Sequence, residues 1–379
     1  MGITVAEALK LEGLDKATVV AGGSGLGRII TRVSVVECPE YEEYPELLRE
    51  GDFFLTSLYA FKNDEARQLE LIRTLVEHRS SGLCIIDLYM NDVSPAIKEF
   101  ADEVSYPVLL LPNDIPYGDI ITNVMDAIIQ SKNDTIQAMK IDNLLQPGKT
   151  AEEIKQIAYE VNARFKENVT VLYCKDSGHD TSVKIKALRN ELRAEAGWSV
   201  LKYQDGILLI LTFDDRARSG VVLRLDELER RLIAMGPGCH LGVSSLHSGL
   251  EYLSVAVKEA LLAVDVGQLL DRNVTHYRDL GLYKLLLLLR NEPEVKRFHA
   301  EILGPIARYD ERYNTKLLDT AIAYVDNDGD LKRTARALFQ HVNTIRYRLR
   351  KIKRILGMEN FQGTFYEQLS VAVKIHKML

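Results

Sequence analysis

Along the first 130 residues, short apolar runs alternate with segments in which apolar positions recur every three or four residues. The runs at 29–36, 52–56, 83–87 and 108–111 predict strands. Between them, 64–78 and 95–104 predict helices, the first with Leu69, Ile72 and Val76 on one face. Strands that alternate with helices pair in parallel, because a parallel connection needs a crossover. The pattern predicts an α/β domain. A helical stretch from about 118 to 145 follows, with Ile121, Val124, Ile128, Ile136, Met139 and Leu144 apolar, until Pro147-Gly148 stops it. Its exposed side is open to two readings, a packing surface or a dimer seam.

A second alternating unit comes next. Residues 169–174 predict a strand, and 199–203 with 207–213 predict a hairpin around Asp205-Gly206. Leu225, Leu228, Leu232 and Met235 mark a helix before a strand at 240–243. Ser248 and Glu251 have the spacing of a capping box opening a helix with Leu253, Val257, Leu261 and Val264 on one stripe. After Tyr283 the pattern is helical to the end. There, Asp330 is placed to cap a short helix carrying Leu331, Ala335 and Leu338, which stops near Phe339-Gln340. A second helix begins around 341–344, with Asn343 able to cap it and Ile345, Leu349, Ile352 and Ile355 on one side.

Length and composition fit two or three soluble globular domains: 379 residues, 46% hydrophobic and 27% charged. No apolar run approaches the roughly 20 residues of a spanning helix. The N-terminus lacks a basic region followed by an apolar stretch, so the expected location is cytoplasmic. Cys38, Cys84, Cys174 and Cys239 lie too far apart to resemble a zinc site or a small disulfide framework, and no metal or cofactor is expected.

Charge changes the picture more. The chain carries −6, yet residues 332–379 hold eleven Lys and Arg against only Glu359 and Glu367, leaving −15 on residues 1–331. So basic a block attracts polyanions. Two short helices joined by a tight turn, the second amphipathic and basic, meet the requirements of a helix-turn-helix, whose second helix enters the major groove of double-stranded DNA. Arg346 suits a two-pronged contact to guanine, and Asn343 a contact to adenine or a helix cap. Thr344, Arg348 and Lys351 suit phosphates. His341, Tyr347 and Arg350 complete the candidate face, although His341 also reads as a turn residue and Tyr347 as surface packing.

The runs Leu303-Gly-Pro-Ile-Ala-Arg-Tyr-Asp310, Leu317-Leu-Asp-Thr320, Thr334-Ala-Arg-Ala-Leu338 and His341-Val-Asn-Thr-Ile-Arg-Tyr-Arg-Leu349 resemble the C-terminal domain of PucR-type transcriptional regulators, with a Fis-like helix-turn-helix. Val20-Ala-Gly-Gly23, Leu26-Gly-Arg28 and Glu50-Gly-Asp-Phe-Phe-Leu-Thr56 resemble the N-terminal sensory domain of that family. Leu241-Gly-Val243 and Val257-Lys-Glu-Ala260 resemble its degenerate cyclase-like, GGDEF-type middle domain. The chain departs from the family at Val342, where a basic residue is usual before Asn-Thr. The resemblance implies a multidomain α/β plus all-α chain: an α/β sensor at 1–131, a helical linker at 132–149, an α+β cyclase-like domain at 150–282, and a helical DNA-binding domain at 283–379 with its helix-turn-helix at 330–356. It further implies a small-molecule effector, a homodimer or higher oligomer, and control of genes for nitrogen, purine or related small-metabolite catabolism.

Two motifs invite other readings. Gly23, Gly25 and Gly27 have the look of a phosphate loop, but a strand pattern follows where a helix would be needed, so a turn is expected. A cyclase site needs acids for Mg²⁺ and a glycine-rich hairpin. In the middle domain Asp205 survives as a carboxylate, yet the double glycine and second acid are absent. Asp214-Asp215 after the strand could bind a cation, although paired acids at a strand end are more often solvated. No enzyme is expected. Two alternatives remain open at this stage: a nucleotide-processing middle domain, and a signalling protein whose basic helix pair binds an acidic partner. Ligands of open parallel sheets lie outside the carboxyl ends of the strands, which makes Glu37, Thr56, Ser57 and Asp87 the candidate effector residues.

Overall fold

The computed structural model describes residues 2–37, 48–175, 181–236, 238–360 and 362–379, so Cys38 lies outside the described residues. The chain divides into two compact units, Met1–Met139 and Lys140–Leu379.

The first unit runs β1 (Ile3–Thr4), α1 (Val5–Ala8), β2 (Thr18–Ala21), β3 (Ile29–Ile30), β4 (Arg32–Val35), β5 (Asp52–Thr56), α2 (Glu65–Glu77), β6 (Gly82–Ile86), α3 (Pro95–Glu103), β7 (Val108–Leu111) and α4 (Tyr117–Leu145), whose last residues belong to the second unit. The sheet order is β2-β7-β6-β5-β4; β4 to β7 are parallel, and β2 joins β7 antiparallel. Strands β5 and β6 are buried along their whole length, as continuous apolar runs covered on both faces must be. Successive side chains alternate between layers: Phe54 packs with Leu71, Ile72 and Leu75 of α2 and Ile97 of α3, while Phe53 and Leu55 pack with Ile120, Val124 and Ile128 of α4.

Local detail departs from the pattern in three places. The run 29–36 is two strands, because its halves pair with different partners, Ile29–Ile30 with β1 and Arg32–Val35 with β5, toward which the Thr31 N–H already bonds at the Gly51 carbonyl. The buried stripe of α2 is Gln68, Leu71, Ile72 and Leu75, with Leu69 and Val76 only partly covered; Gln68 is tolerated there because its Nε2 donates to the Phe61 carbonyl at 2.8 Å. Buried Asp52 is matched by Arg32, whose Nε and Nη2 donate to its two oxygens at 2.7 and 2.5 Å. The glycine-rich segment is a turn, as expected: Gly22 has φ +67, and a Cβ there would lie 1.8 Å from the Tyr106 carbonyl oxygen.

The second unit continues with α5 (Ala151–Val161), β8 (Asn168–Lys175), α6 (Thr181–Glu191), β9 (Trp198–Tyr203), β10 (Gly206–Phe213), α7 (Arg218–Ala234), β11 (His240–Val243), β12 (His247–Ser248), α8 (Leu253–Leu269) and β13 (Val274–His276). Its sheet runs β13-β11-β8-β10-β9, with β12 also on β8; β11 and β13 are parallel and every other pair is antiparallel. Helices α6 and α7 cover one face through Ile185, Leu188, Leu228 and Leu232. Helix α8 comes close at Gly242, where a Cβ would lie 2.1 Å from the Ala260 carbonyl oxygen.

Three expectations are corrected here. The hairpin loop is Gln204-Asp205, one residue earlier than read, with Gln204 at φ +48 and Gly206 already paired to Tyr203. Ser248 and Glu251 form no capping box: Ser248 pairs in β12, Glu251 bonds to Lys155 at 3.3 Å, and α8 starts at Leu253 without a side-chain cap. Cys174 and Cys239 are joined by a disulfide, since β11 beside β8 brings their Cα atoms to 6.3 Å across 65 residues of sequence.

From α9 (Tyr283–Leu286) onward the chain is helical: α10 (Pro293–Tyr313), α11 (Leu317–Asp326), α12 (Leu331–Ala337), α13 (Val342–Ile355) and α14 (Gln362–Met378). These pack around Ile306, Ala321, Ile345, Ile352, Leu369 and Val373. Met378 packs against Ala263, Val266, Leu280 and Tyr283, tying the bundle to the end of α8.

Candidate nucleic-acid interface

Helix α12 starts where the sequence places it. The Oδ1 of Asp330 accepts from the N–H groups of Lys332 and Arg333 at 2.7 and 2.8 Å, and these bonds, that of Arg333 first, hold its carboxyl below the usual carboxylate range. After Ala337 the chain turns sharply. Phe339 adopts φ +52, and the Gln340 N–H closes the turn on the Ala335 carbonyl at 2.9 Å. Helix α13 then begins with His341 as its cap, the imidazole Nδ1 accepting from the Asn343 N–H at 3.1 Å. His341 therefore displaces Asn343 from the capping role, which leaves the Asn343 side chain exposed.

Burial sorts the candidate residues around α13. Ile345, Leu349 and Ile352 are buried in the bundle core. On the other side Asn343, Arg346, Tyr347 and Arg350 are exposed at spacings of three, one and three, so they form one continuous stripe. Thr344, Arg348 and Lys351 lie on the flanks, half-buried. Two of these flanking residues already have partners within the bundle. Arg348 Nη1 donates to the hydroxyl of buried Thr320 at 3.1 Å, and Lys351 Nζ sits 5.0 Å above the Tyr309 ring. The run Leu303–Asp310 also acquires a physical role. Asp310 accepts from the N–H groups of Leu317 and Leu318 at 2.9 and 2.8 Å and so secures the start of α11, the helix against which α13 packs.

The effector candidates lie at the carboxyl ends of β4, β5 and β6. Glu37 accepts from the Ser57 N–H at 2.5 Å and the Ser57 hydroxyl at 3.0 Å. It also accepts from the Tyr117 hydroxyl at 2.7 Å, a partner the sequence pattern did not single out because Tyr117 lies 80 residues away. Burial, then the bond to the Glu37 carboxylate, pushes the Tyr117 phenol well above its ordinary range. Thr56 turns inward and accepts from the Leu58 N–H. Asp87 keeps one buried carboxylate oxygen without a partner among the described residues.

In the middle domain the hairpin acid is occupied. Asp205 accepts from the Tyr173 hydroxyl at 3.0 Å and pairs with Lys175 at 3.4 Å. Asp214 pairs with Lys166 at 2.7 Å, and Asp215 accepts from Asn168 at 3.0 Å. No group of three or more His, Cys, Asp or Glu among the described residues is placed to hold a metal. No helix of the described residues is long and apolar enough to cross a membrane.

A capped helix, a left-handed turn and an amphipathic basic helix seated on a small bundle define a helix-turn-helix domain. Residues 317–375 match the PucR C-terminal helix-turn-helix domain, and residues 7–128 match the Purine catabolism regulatory protein-like family. The chain thus carries the N-terminal domain type and the C-terminal helix-turn-helix domain type of the PucR family. Among its relatives is the "Purine catabolism regulatory protein" of Bacillus subtilis (strain 168), 24% identical over 40% of this chain and 29% of that one. Another is the "Proline-responsive transcriptional activator PutR" of the same organism, 26% identical over 32% of this chain and 30% of that one. Each match therefore spans under a third of the relative's length. A solved structure, a "Regulator of Polyketide Synthase Expression" from Bifidobacterium adolescentis, covers 65% of this chain and 98% of its own at 17% identity, with a TM-score of 0.30.

Proposed function

We propose that the protein is a ligand-responsive transcriptional regulator that binds double-stranded DNA through α13, works in the cytoplasm, and controls genes of nitrogen, purine or related small-metabolite catabolism. The observation that carries this is the exposed stripe Asn343, Arg346, Tyr347 and Arg350, set opposite the buried Ile345, Leu349 and Ile352 in a helix-turn-helix. Arg346 is the base-reading residue and Arg350 a phosphate contact. A homodimer or higher oligomer gives two reading heads for half-sites about 34–36 Å apart.

The effector is a small polar molecule held at the carboxyl ends of β4–β6 by Glu37, Ser57, Tyr117 and Asp87. The middle domain is a degenerate cyclase-like fold without activity. Its strand–helix–strand–strand–helix–strand order supports the likeness, and the engagement of Asp205 by Tyr173 and Lys175 supports the lack of catalysis. The effector acts only if it binds one arrangement of the two heads better than the other.

The test is fluorescence anisotropy of the full chain on DNA flanking its own gene, against unrelated DNA, at two salt concentrations. Arg346→Ala is expected to lose about 1–3 kcal/mol of the preference for the flanking DNA while keeping its non-specific binding. Absence of any binding at low salt would sink the proposal.

A further inference from the structure

Phe339 is the most exposed large apolar side chain among the described residues, at 94%, and it occupies a left-handed backbone position, φ +52. Both features are costly. A side chain with a Cβ is strained at positive φ, and a phenyl ring in water gives up the stabilisation that burial would supply. Glycine or asparagine would make the same turn without either penalty. Nor does the turn need the ring. Its bonds are backbone ones, from the Phe339 N–H to the Arg336 carbonyl at 3.1 Å and from the Gln340 N–H to the Ala335 carbonyl. Among the described residues the fold thus gives no reason for phenylalanine here, and the ring is free to meet a partner.

Position narrows what that partner is. Phe339 stands three residues before the first residue of α13 and two before its cap, His341. The first turn of a reading helix meets base edges, so the residue just before it stands at the mouth of the groove. The major groove offers one apolar group on the bases, the C5-methyl of thymine, and phenylalanine is among the side chains that meet it. The exposed stripe on α13 is polar or basic apart from the Tyr347 ring, so Phe339 adds a purely apolar contact to it. We infer that the Phe339 ring is a DNA contact that recognises a thymine methyl at the edge of the site read by α13. This rests on the reading of α13 given under Proposed function.

The experiment uses the full chain and duplexes that it selects from a random pool, each made with thymine or with uracil, which lacks the methyl. The variants are Phe339→Gly and Phe339→Asn, with Arg346→Ala as the control for the reading of α13. Both Phe339 variants are expected to melt at the wild-type temperature or higher. Their affinity for the thymine duplex falls about tenfold, and the salt dependence is unchanged because no charge is removed. Wild type is expected to lose about fourfold on the uracil duplex, as for one methyl, and the variants to bind the two duplexes alike.

Variants that bind like wild type, or a wild type indifferent to uracil, overturn the inference. So does a lower melting temperature in both variants, which makes the ring structural. A change in sedimentation without DNA in either variant also overturns it, because the ring then meets a second copy. If wild type selects no sequence, the reading of α13 falls as well. If Arg346→Ala loses preference while the Phe339 variants do not, only the thymine contact falls.

Discussion

Arg348 and Arg346 carry the same charge two positions apart on α13, and their surroundings assign them different work. Arg346 is exposed, whereas Arg348 reaches across to the hydroxyl of buried Thr320 at 3.1 Å. Arg348→Ala is therefore expected to lower stability by about 1–2 kcal/mol in urea melts while leaving the sequence preference in place, since it removes a partly shielded charged hydrogen bond and not a base contact. A second residue-scale prediction concerns pH. His299 of α10 faces His376 of α14, with ring nitrogens 3.1 Å apart. Burial first, and the neighbouring imidazole second, push His299 below its ordinary value. A depressed folded-state value favours the neutral ring, so its contribution to stability is present above the unfolded value, about 6.5, and is lost as pH falls through the folded one. NMR titration is expected to place the His299 midpoint below that of a free histidine, and His376→Gln to move it back upward.

At the scale of elements, the helix pair is held as much by small residues and caps as by its apolar stripe. Ala335 is buried in the bundle core, and its carbonyl receives the turn bond from Gln340. Ala335→Leu is expected to cost about 1–3 kcal/mol by overpacking. DNA affinity should fall with it, because α13 is displaced from the surface that orients it. A normal melting temperature with normal binding would show that α12 does not set the placement of α13. The same scale shows what patterns convey. Asp330, Ile345, Leu349 and Ile352 were legible because capping and helical periodicity are local rules. The pairing of β2 with β7 and the partner of Arg348 were not, because each depends on where a distant segment packs. The cap at His341 is local, two residues from the N–H it receives, and escaped notice because histidine is not among the usual capping residues.

For the whole molecule, the uneven charge matters most. Residues 332–379 are strongly basic in a chain whose net charge is −6, so the acidic remainder repels DNA while α12 and α13 attract it. Affinity is expected to fall steeply with salt through counterion release, and Arg350→Ala to reduce the slope of log affinity against log salt by about one. An unchanged slope would place Arg350 away from the phosphates. Unit boundaries also belong to this scale. Helix α4 is one unbroken element from Tyr117 to Leu145, yet the boundary between the compact units falls within it, after Met139. Periodicity reports where a helix runs; it does not report which body each of its turns packs on.

By itself the sequence determined the alternating α/β pattern, the helical C-terminal segment, the two helices of the helix-turn-helix and the basic charge they carry. These follow from periods of two and 3.6, from caps and from formal charge, all of which act between near neighbours. Tertiary structure alone decided that Glu37, Ser57 and Tyr117 meet, that Cys174 lies beside Cys239, that Asp205 is engaged by Tyr173 and Lys175, and that Arg348 turns to Thr320. Each of those contacts joins residues at least 20 positions apart. Such contacts form only when the sheets close and the bundle packs, and no local rule fixes that geometry.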